Sequence, residues 1–231
     1  MRKTLFGLIL AAVFLAGSPL ALADLAEAES AYKSKNYPVA IRELNALSNS
    51  GNALVQYYIA LMFDNGEGLP QNDQRAIEWY LQSAKQGYAP AQSNLGVIYE
   101  RGVNVELSNI EAEAWYRKAA AQGYAPAQFN LGLMYFVGRG EIKRNYKEAI
   151  SWYLKAAEQG YAIAQNSIGR MYENGQGVPV SLVQAYKWYS LADKAGNEAA
   201  HLGLKAIENK MSAEMMEDAR GQIQAWLANR K

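Results

Sequence analysis

The sequence predicts an all-α fold, a solenoid of stacked helical hairpins, and three observations carry that prediction. Trp-Tyr pairs recur at residues 79–80, 115–116, 152–153 and 188–189, spaced 36, 37 and 36. A glycine follows each Trp by eight residues, at Gly87, Gly123, Gly160 and Gly196. The text after three of those glycines is nearly copied: residues 88–96 read YAPAQSNLG, 124–132 read YAPAQFNLG and 161–169 read YAIAQNSIG. A fixed period of this length marks units that cannot bury an apolar face alone and so stack on their neighbours.

The N-terminus comes first in the order of elements. Arg2 and Lys3 precede a short apolar run from Leu5 to Leu15, and Ala21-Leu22-Ala23 has the small-x-small pattern of a cleavage site, so residues 1–23 read as a secretory signal. Gly17, Ser18 and Pro19 interrupt that run, which is too short to span a bilayer comfortably. Its removal predicts a periplasmic or secreted bacterial protein with no stable membrane insertion afterwards.

Residues 24–50 keep the hairpin rhythm through Ala28, Tyr32, Tyr37, Ala40, Ile41 and Leu44, but Glu43-Leu44 replaces Trp-Tyr, as befits a degenerate end unit. Full units follow at 51–86, 87–122, 123–159 and 160–195. In each, the first helix carries apolar residues at helical spacing (Ala91, Leu95, Ile98 and Tyr99; Ala127, Leu131, Met134 and Tyr135) and stops at Gly66, Gly102, Gly138 or Gly175. The second helix opens on a capping residue. Ser108 with Glu111 and Ser181 with Gln184 have capping-box spacing, and Asp73 and Asn145 are the expected caps elsewhere. It then carries Ala76, Trp79, Tyr80 and Ala84 on one stripe. Small residues such as Gly96 and Gly132 let the helices approach, and large rings fill the gaps. The extra residue behind the spacing of 37 falls in the loop 138–146, where an insertion is cheap. Residues 196–231 hold a degenerate last unit, with Lys205 in the place of Gly169. A helix from Ser212 follows, its stripe of Met215, Met216, Ala219, Ile223, Trp226 and Leu227 expected to cap the last open core.

Composition narrows the function. With 23 Lys and Arg against 22 Asp and Glu the net charge is +1, which gives no electrostatic reason to expect nucleic acid or anionic lipid as a partner. The absence of cysteine excludes disulfides, thiolate metal sites and N-terminal cysteine lipidation.

The residues that resemble chemistry have plainer readings. Gly66-Glu67-Gly68, Gly138-Arg139-Gly140 and Gly175-Gln176-Gly177 do not continue into the Lys-Ser/Thr of a phosphate loop, so they are turn glycines. His201, the only histidine, has no cysteine or second histidine to build a metal site with, and it occupies the repeat slot of Gln92, Gln128 and Gln165, read here as a surface position. Ser30-Ala31-Tyr32-Lys33 fits the Ser-x-x-Lys element of penicillin-recognising enzymes without its companions. Glu111 and Glu113, two apart on a helix, point to different faces. Asn94 and Asn130 share a repeat position that Tyr58 and Ser167 fill in other units, which favours structural use over a recognition code. No cofactor, metal or catalytic set emerges.

The Ala-Gln-x-Asn-Leu-Gly runs at 91–96 and 127–132, the Gly-x-Gly turns, the Trp-Tyr pairs and the endings at 120–123 and 157–160 together resemble the Sel-1-like repeat, a branch of the tetratricopeptide class. The resemblance covers about residues 50–205 strongly and 24–50 loosely. It implies a right-handed superhelix of hairpins that mediates protein–protein contacts, often at bacterial cell envelopes, with the first helix of each unit lining the concave face. On that basis the expected partner is a protein or peptide, and the candidate contact residues are Tyr57, Leu61, Glu100, Arg101, Phe129, Leu133, Phe136, Arg170 and Glu173. Phe129, Leu133 and Phe136 share one stripe amid polar neighbours, either as a groove or as packing against the next helix. Two other functions stand beside the scaffold: a β-lactam-interacting or cell-wall-active enzyme, and an immunity protein against a periplasmic toxin. Exported relatives linked to β-lactams are cysteine-rich, unlike this chain.

Overall fold

The computed structural model describes residues 19–229, with side chains from Leu25 onward. Residues 1–18, which hold most of the expected export signal, lie outside the described residues. Among the described residues the fold is all helical. The order is α1 (Pro19–Lys33), α2 (Tyr37–Leu47), a 3-10 turn (Ser48–Ser50), α3 (Ala53–Asn65), α4 (Asp73–Lys85), α5 (Ala89–Arg101), α6 (Asn109–Ala121), α7 (Ala125–Val137), α8 (Tyr146–Glu158), α9 (Ala162–Asn174), α10 (Leu182–Lys194), α11 (Glu198–Glu208) and α12 (Ala213–Ala228). The pairs α1/α2, α3/α4, α5/α6, α7/α8 and α9/α10 are antiparallel hairpins, and each second helix from α4 to α10 packs on the first helix of the next unit.

Two devices close each hairpin. Gly66, Gly102 and Gly175 end their helices in the left-handed conformation, where a Cβ would be strained. Across the turn the capping residue is held twice. Ser108 Oγ accepts from the Glu111 amide at 3.2 Å, and its own amide donates to the Tyr99 carbonyl at 2.9 Å. Ser181 does the same with Gln184 and Tyr172. The cap amide is therefore already paired with the first helix, and the return arm of a capping box is not needed. Asn72, not Asp73, caps α4, with Asp73 as the first helical residue. Asn145 caps α8 as expected. The insertion lies at 138–145, where Gly138 departs from the left-handed helical value (ψ 109°) and Ile142 turns into the core.

The interior is built from glycine facing tyrosine. A Cβ placed on Gly96, Gly132 or Gly169 would lie 2.5 Å from the ring of Tyr116, Tyr153 or Tyr189, so only hydrogen fits there. Those three phenols, with Tyr80, are almost wholly buried. The tryptophans do something else. Trp79, Trp115 and Trp152 are only partly buried and reach back against the core of the preceding hairpin. Tyrosine thus fills a unit while tryptophan stitches it to the one before.

A ladder of amides runs through the same joints. Gln92 is buried; its Nε2 donates to the Ala84 carbonyl at 3.1 Å and its Oε1 accepts from Gln122 at 2.8 Å. Gln128 repeats this with Ala120 and Gln159. Gln165 donates to Ala157, but its Oε1 is buried with no partner, because Ala195 stands where Gln122 and Gln159 stand in other units. The glutamine slot is therefore interior, which corrects the surface reading taken from His201. His201 is exposed, 3.2 Å from Asp193, on α11, over which no described hairpin stacks.

The C-terminal helix also differs from expectation. It does not close the last core, which α10 and α11 share with Met211 at its edge. Instead α12 folds back along α10, with Ile223, Trp226 and Leu227 against the cluster that contains Ile150, Met171 and Trp188.

Candidate functional site

The first helices α3, α5, α7 and α9 present the expected contact residues, and the structure sorts them into two groups. The acidic ones are occupied. Glu100 accepts from the buried Tyr116 hydroxyl at 2.8 Å and pairs with Arg139 from the next unit. Glu173 accepts from Tyr189 at 2.7 Å, and Asp64 accepts from Tyr80 at 2.9 Å. Each carboxylate compensates a phenol that would otherwise be desolvated without a partner. Glu100 and Glu173, expected as contact residues, are therefore held as acceptors for buried phenols. Burial, reinforced by the carboxylate, pushes the Tyr80, Tyr116 and Tyr189 phenols far above their ordinary value.

The third unit breaks the pattern. Phe136 takes the place of the carboxylate, 6.5 Å from the Tyr153 ring, and also packs on Tyr146 at 5.2 Å. Phe129 stacks on Tyr153 at 5.4 Å with 26° between planes, and touches Tyr161 at 5.6 Å. Leu133 joins the same cluster. The stripe is thus both packing and surface: all three side chains rest on the cluster built around α8 and α9, and all three remain partly exposed.

Tyr57 and Leu61 are half-buried in α3, with the Tyr57 ring edge-on to Tyr88 at 5.0 Å. Burial pushes the Tyr57 phenol up to about 12, and the neighbouring Tyr124 and Tyr88 phenols add to it. Tyr88, Tyr124 and Tyr161 were not among the expected contact residues. They occupy the position just before α5, α7 and α9, half-buried and close enough for Tyr124 to raise the Tyr88 phenol and Tyr161 the Tyr124 phenol, after burial as the larger cause. The signal was available: a tyrosine after each turn glycine, once per repeat. Arg101 and Arg170 are exposed at this face. Of the three acids only Glu100 has a cationic partner, Arg139; Asp64 and Glu173 keep their charge while they accept from phenols.

Elsewhere the suspected chemistry has structural partners. Lys33 Nζ pairs with Glu29 at 2.6 Å, one turn away on α1. Glu113 accepts from Tyr135 at 2.6 Å and from Arg117, while Glu111 is exposed. Asn94 works against the upward shift of the Tyr80 and Tyr57 phenols, and Asn130 against that of Tyr116, with burial the larger cause in each. Among the described residues no helix is long and apolar enough to cross a membrane.

The Sel1 repeat matches four consecutive segments, residues 53–88, 89–124, 125–161 and 162–197. The chain belongs to the Sel1 repeat family. A Sel1 repeat protein from Oxalobacter formigenes superposes on this Sel1 array with a TM-score of 0.70 at 37% identity, over 81% of this chain and 75% of that one. The protein c5321, a protective antigen present in uropathogenic Escherichia coli strains and displaying an SLR fold, superposes with a TM-score of 0.56 at 26% identity. That match covers 90% of this chain and 53% of c5321, so the present array spans about half of that protein. Immunity protein Pa5087 from Pseudomonas aeruginosa is more distant, with a TM-score of 0.46 and 19% identity, and carries no argument about function. A search of curated proteins returns no match.

Proposed function

We propose that this Sel1 array is an exported, non-catalytic scaffold whose first-helix face binds an acidic segment of a partner protein. The observation that supports this reading most is the row of half-buried rings Tyr57, Tyr88, Tyr124, Phe129 and Tyr161, with Arg101 and Arg170 exposed beside it. Rigid aromatic rings bury contact area at low entropic cost, and guanidinium groups select carboxylates. Arg139 offsets the charge of Glu100, and Asp64 and Glu173 direct their carboxylates to buried phenols while Arg101 and Arg170 stand more exposed to a partner. Export to the periplasm rests on the basic, apolar and small-residue pattern of residues 1–23.

A photo-crosslinking residue placed at Arg101 or Arg170 in living cells tests the reading. It predicts one discrete protein adduct in the periplasmic fraction, absent when the crosslinker is moved to the exposed Lys85 at the end of α4. An adduct of equal yield from Lys85, or none from the two arginines, contradicts it.

A further inference from the structure

An apolar groove lies at the other end of the array from α12. Between α2 and α4, floored by α3, is a groove of about 410 Å³ lined by Ile41, Met62, Phe63, Leu69 and Trp79. Counting three repeats onward, 109 residues, these positions become Ile150, Met171, Tyr172, Val178 and Trp188. All five belong to the cluster that Ile223, Trp226 and Leu227 of α12 pack against. There Trp226 meets Trp188 edge-on at 6.3 Å and Gln184 donates to Gln222 at 2.7 Å. The covered Trp188 is 4% exposed, while Trp79, with the same surroundings and no described helix over it, is only partly buried.

The two middle tryptophans carry a cation on the ring. Lys118 sits over the Trp115 ring at 3.8 Å and Lys155 over Trp152 at 3.7 Å, each from one turn further on. At that place the Trp79 unit has Gln82, whose Oε1 accepts from Gln56, and the Trp188 unit has Leu191. Lys187 lies over the Trp188 ring at 5.1 Å as well, so of the four paired tryptophans only Trp79 has no lysine against its indole among the described residues. The groove at Trp188 already holds α12.

The α2 side widens the opening. Ser48–Ser50 form a 3-10 turn where later units pass by a short turn into the next helix, and α2 packs less extensively on α3 than any later second helix does on its successor. Charge also differs in a definite way. Arg75, exposed with its guanidinium over Phe63 at 5.4 Å, stands where Gln184 meets Gln222.

We infer that the α2/α4 groove is a docking site for an amphipathic helix of a partner protein. That helix presents an apolar stripe spaced like Ile223, Trp226 and Leu227, with a carboxylate in the place of Gln222 to meet Arg75. The chain's own α12 is the template for the fit, and the exchange of glutamine for arginine sets the charge of the partner. This site is separate from the first-helix face and stands or falls independently of it.

The test uses a fluorescein-labelled peptide of residues 212–229 carrying Gln222→Glu, titrated into the full chain and followed by anisotropy. Saturable binding is expected, weakened about tenfold by Arg75→Glu, the effect of losing one exposed attraction and gaining one repulsion. A second peptide carrying Gln222→Lys should then prefer the Arg75→Glu chain. Arg75 is exposed, so circular dichroism should find that variant folded. Absence of saturable binding overturns the inference. So does binding that ignores the charge at residue 75, which would mark displacement of the chain's own α12. Self-association lost on Arg75→Glu, read by sedimentation, would replace the partner helix with a second copy and overturn it as well.

Discussion

Four tyrosines and the atoms opposite them decide how closely the helices pack. Gly132→Ala drives a Cβ into the Tyr153 ring, and overpacking of a filled core predicts a loss of about 1–3 kcal/mol in urea unfolding. Gly123→Ala meets nothing within 4 Å and strains only a φ of +85°, so its loss should be nearer ~1 kcal/mol. Equal losses would mean that the ring contact does not limit the approach. The orphaned Gln165 Oε1 makes the opposite prediction. Ala195→Gln restores the missing donor, and the urea midpoint should rise by the worth of one hydrogen bond, about 1 kcal/mol. The same phenols fix the alkaline limit. Burial and carboxylate partners hold Tyr80, Tyr116 and Tyr189 above the ordinary phenol value, so the unfolded chain ionises first. Their contribution is intact below about pH 10 and is lost as pH rises above it. Urea midpoints should agree between about pH 7 and about pH 9 and drop by about pH 11; a midpoint unchanged at the high end contradicts the burial of these hydroxyls.

At the scale of elements, most of the architecture was legible because repetition multiplies weak signals. A single Leu-Gly or Trp-Tyr says little, but three or four at a fixed spacing place every turn from Gly66 to Gly196. What could not be read is what happens between elements. The roles of Trp79 and Tyr80 are identical in periodicity, and only the packing shows that one bridges units while the other fills one. Glu100 and Glu173 look like surface charges in text because the phenols that claim them lie 16 residues away. The path of α12 was equally hidden, since an apolar stripe names no partner. Deleting residues 212–231 removes the cover from Trp188. It should cost about 2–4 kcal/mol, given the aromatic and aliphatic area lost, and should raise acrylamide quenching of tryptophan fluorescence. Quenching unchanged from the full chain would place α12 elsewhere.

For the whole molecule, the two ends differ more than the two faces. The N-terminal hairpin leaves an open groove and the C-terminal one is sealed by its own helix, so the array carries a direction that its internal symmetry lacks. Its first-helix face was only partly legible: the apolar residues Tyr57 and Phe129 are there, but the engagement of the acids by buried phenols follows from hydrogen bonds no pattern displays. All of this depends on units that complete one another's interiors, each held by the phenol, indole and amide contacts that recur at every joint. Removing residues 89–124, one whole unit, tests that dependence most directly. Contacts made by nearest neighbours are regenerated at the new junction, so the shortened chain should keep its helical content per residue and unfold in one transition at a lower urea concentration. The isolated unit 89–124 should show little helix. A shortened chain that fails to fold, or an isolated unit that folds on its own, would contradict the account.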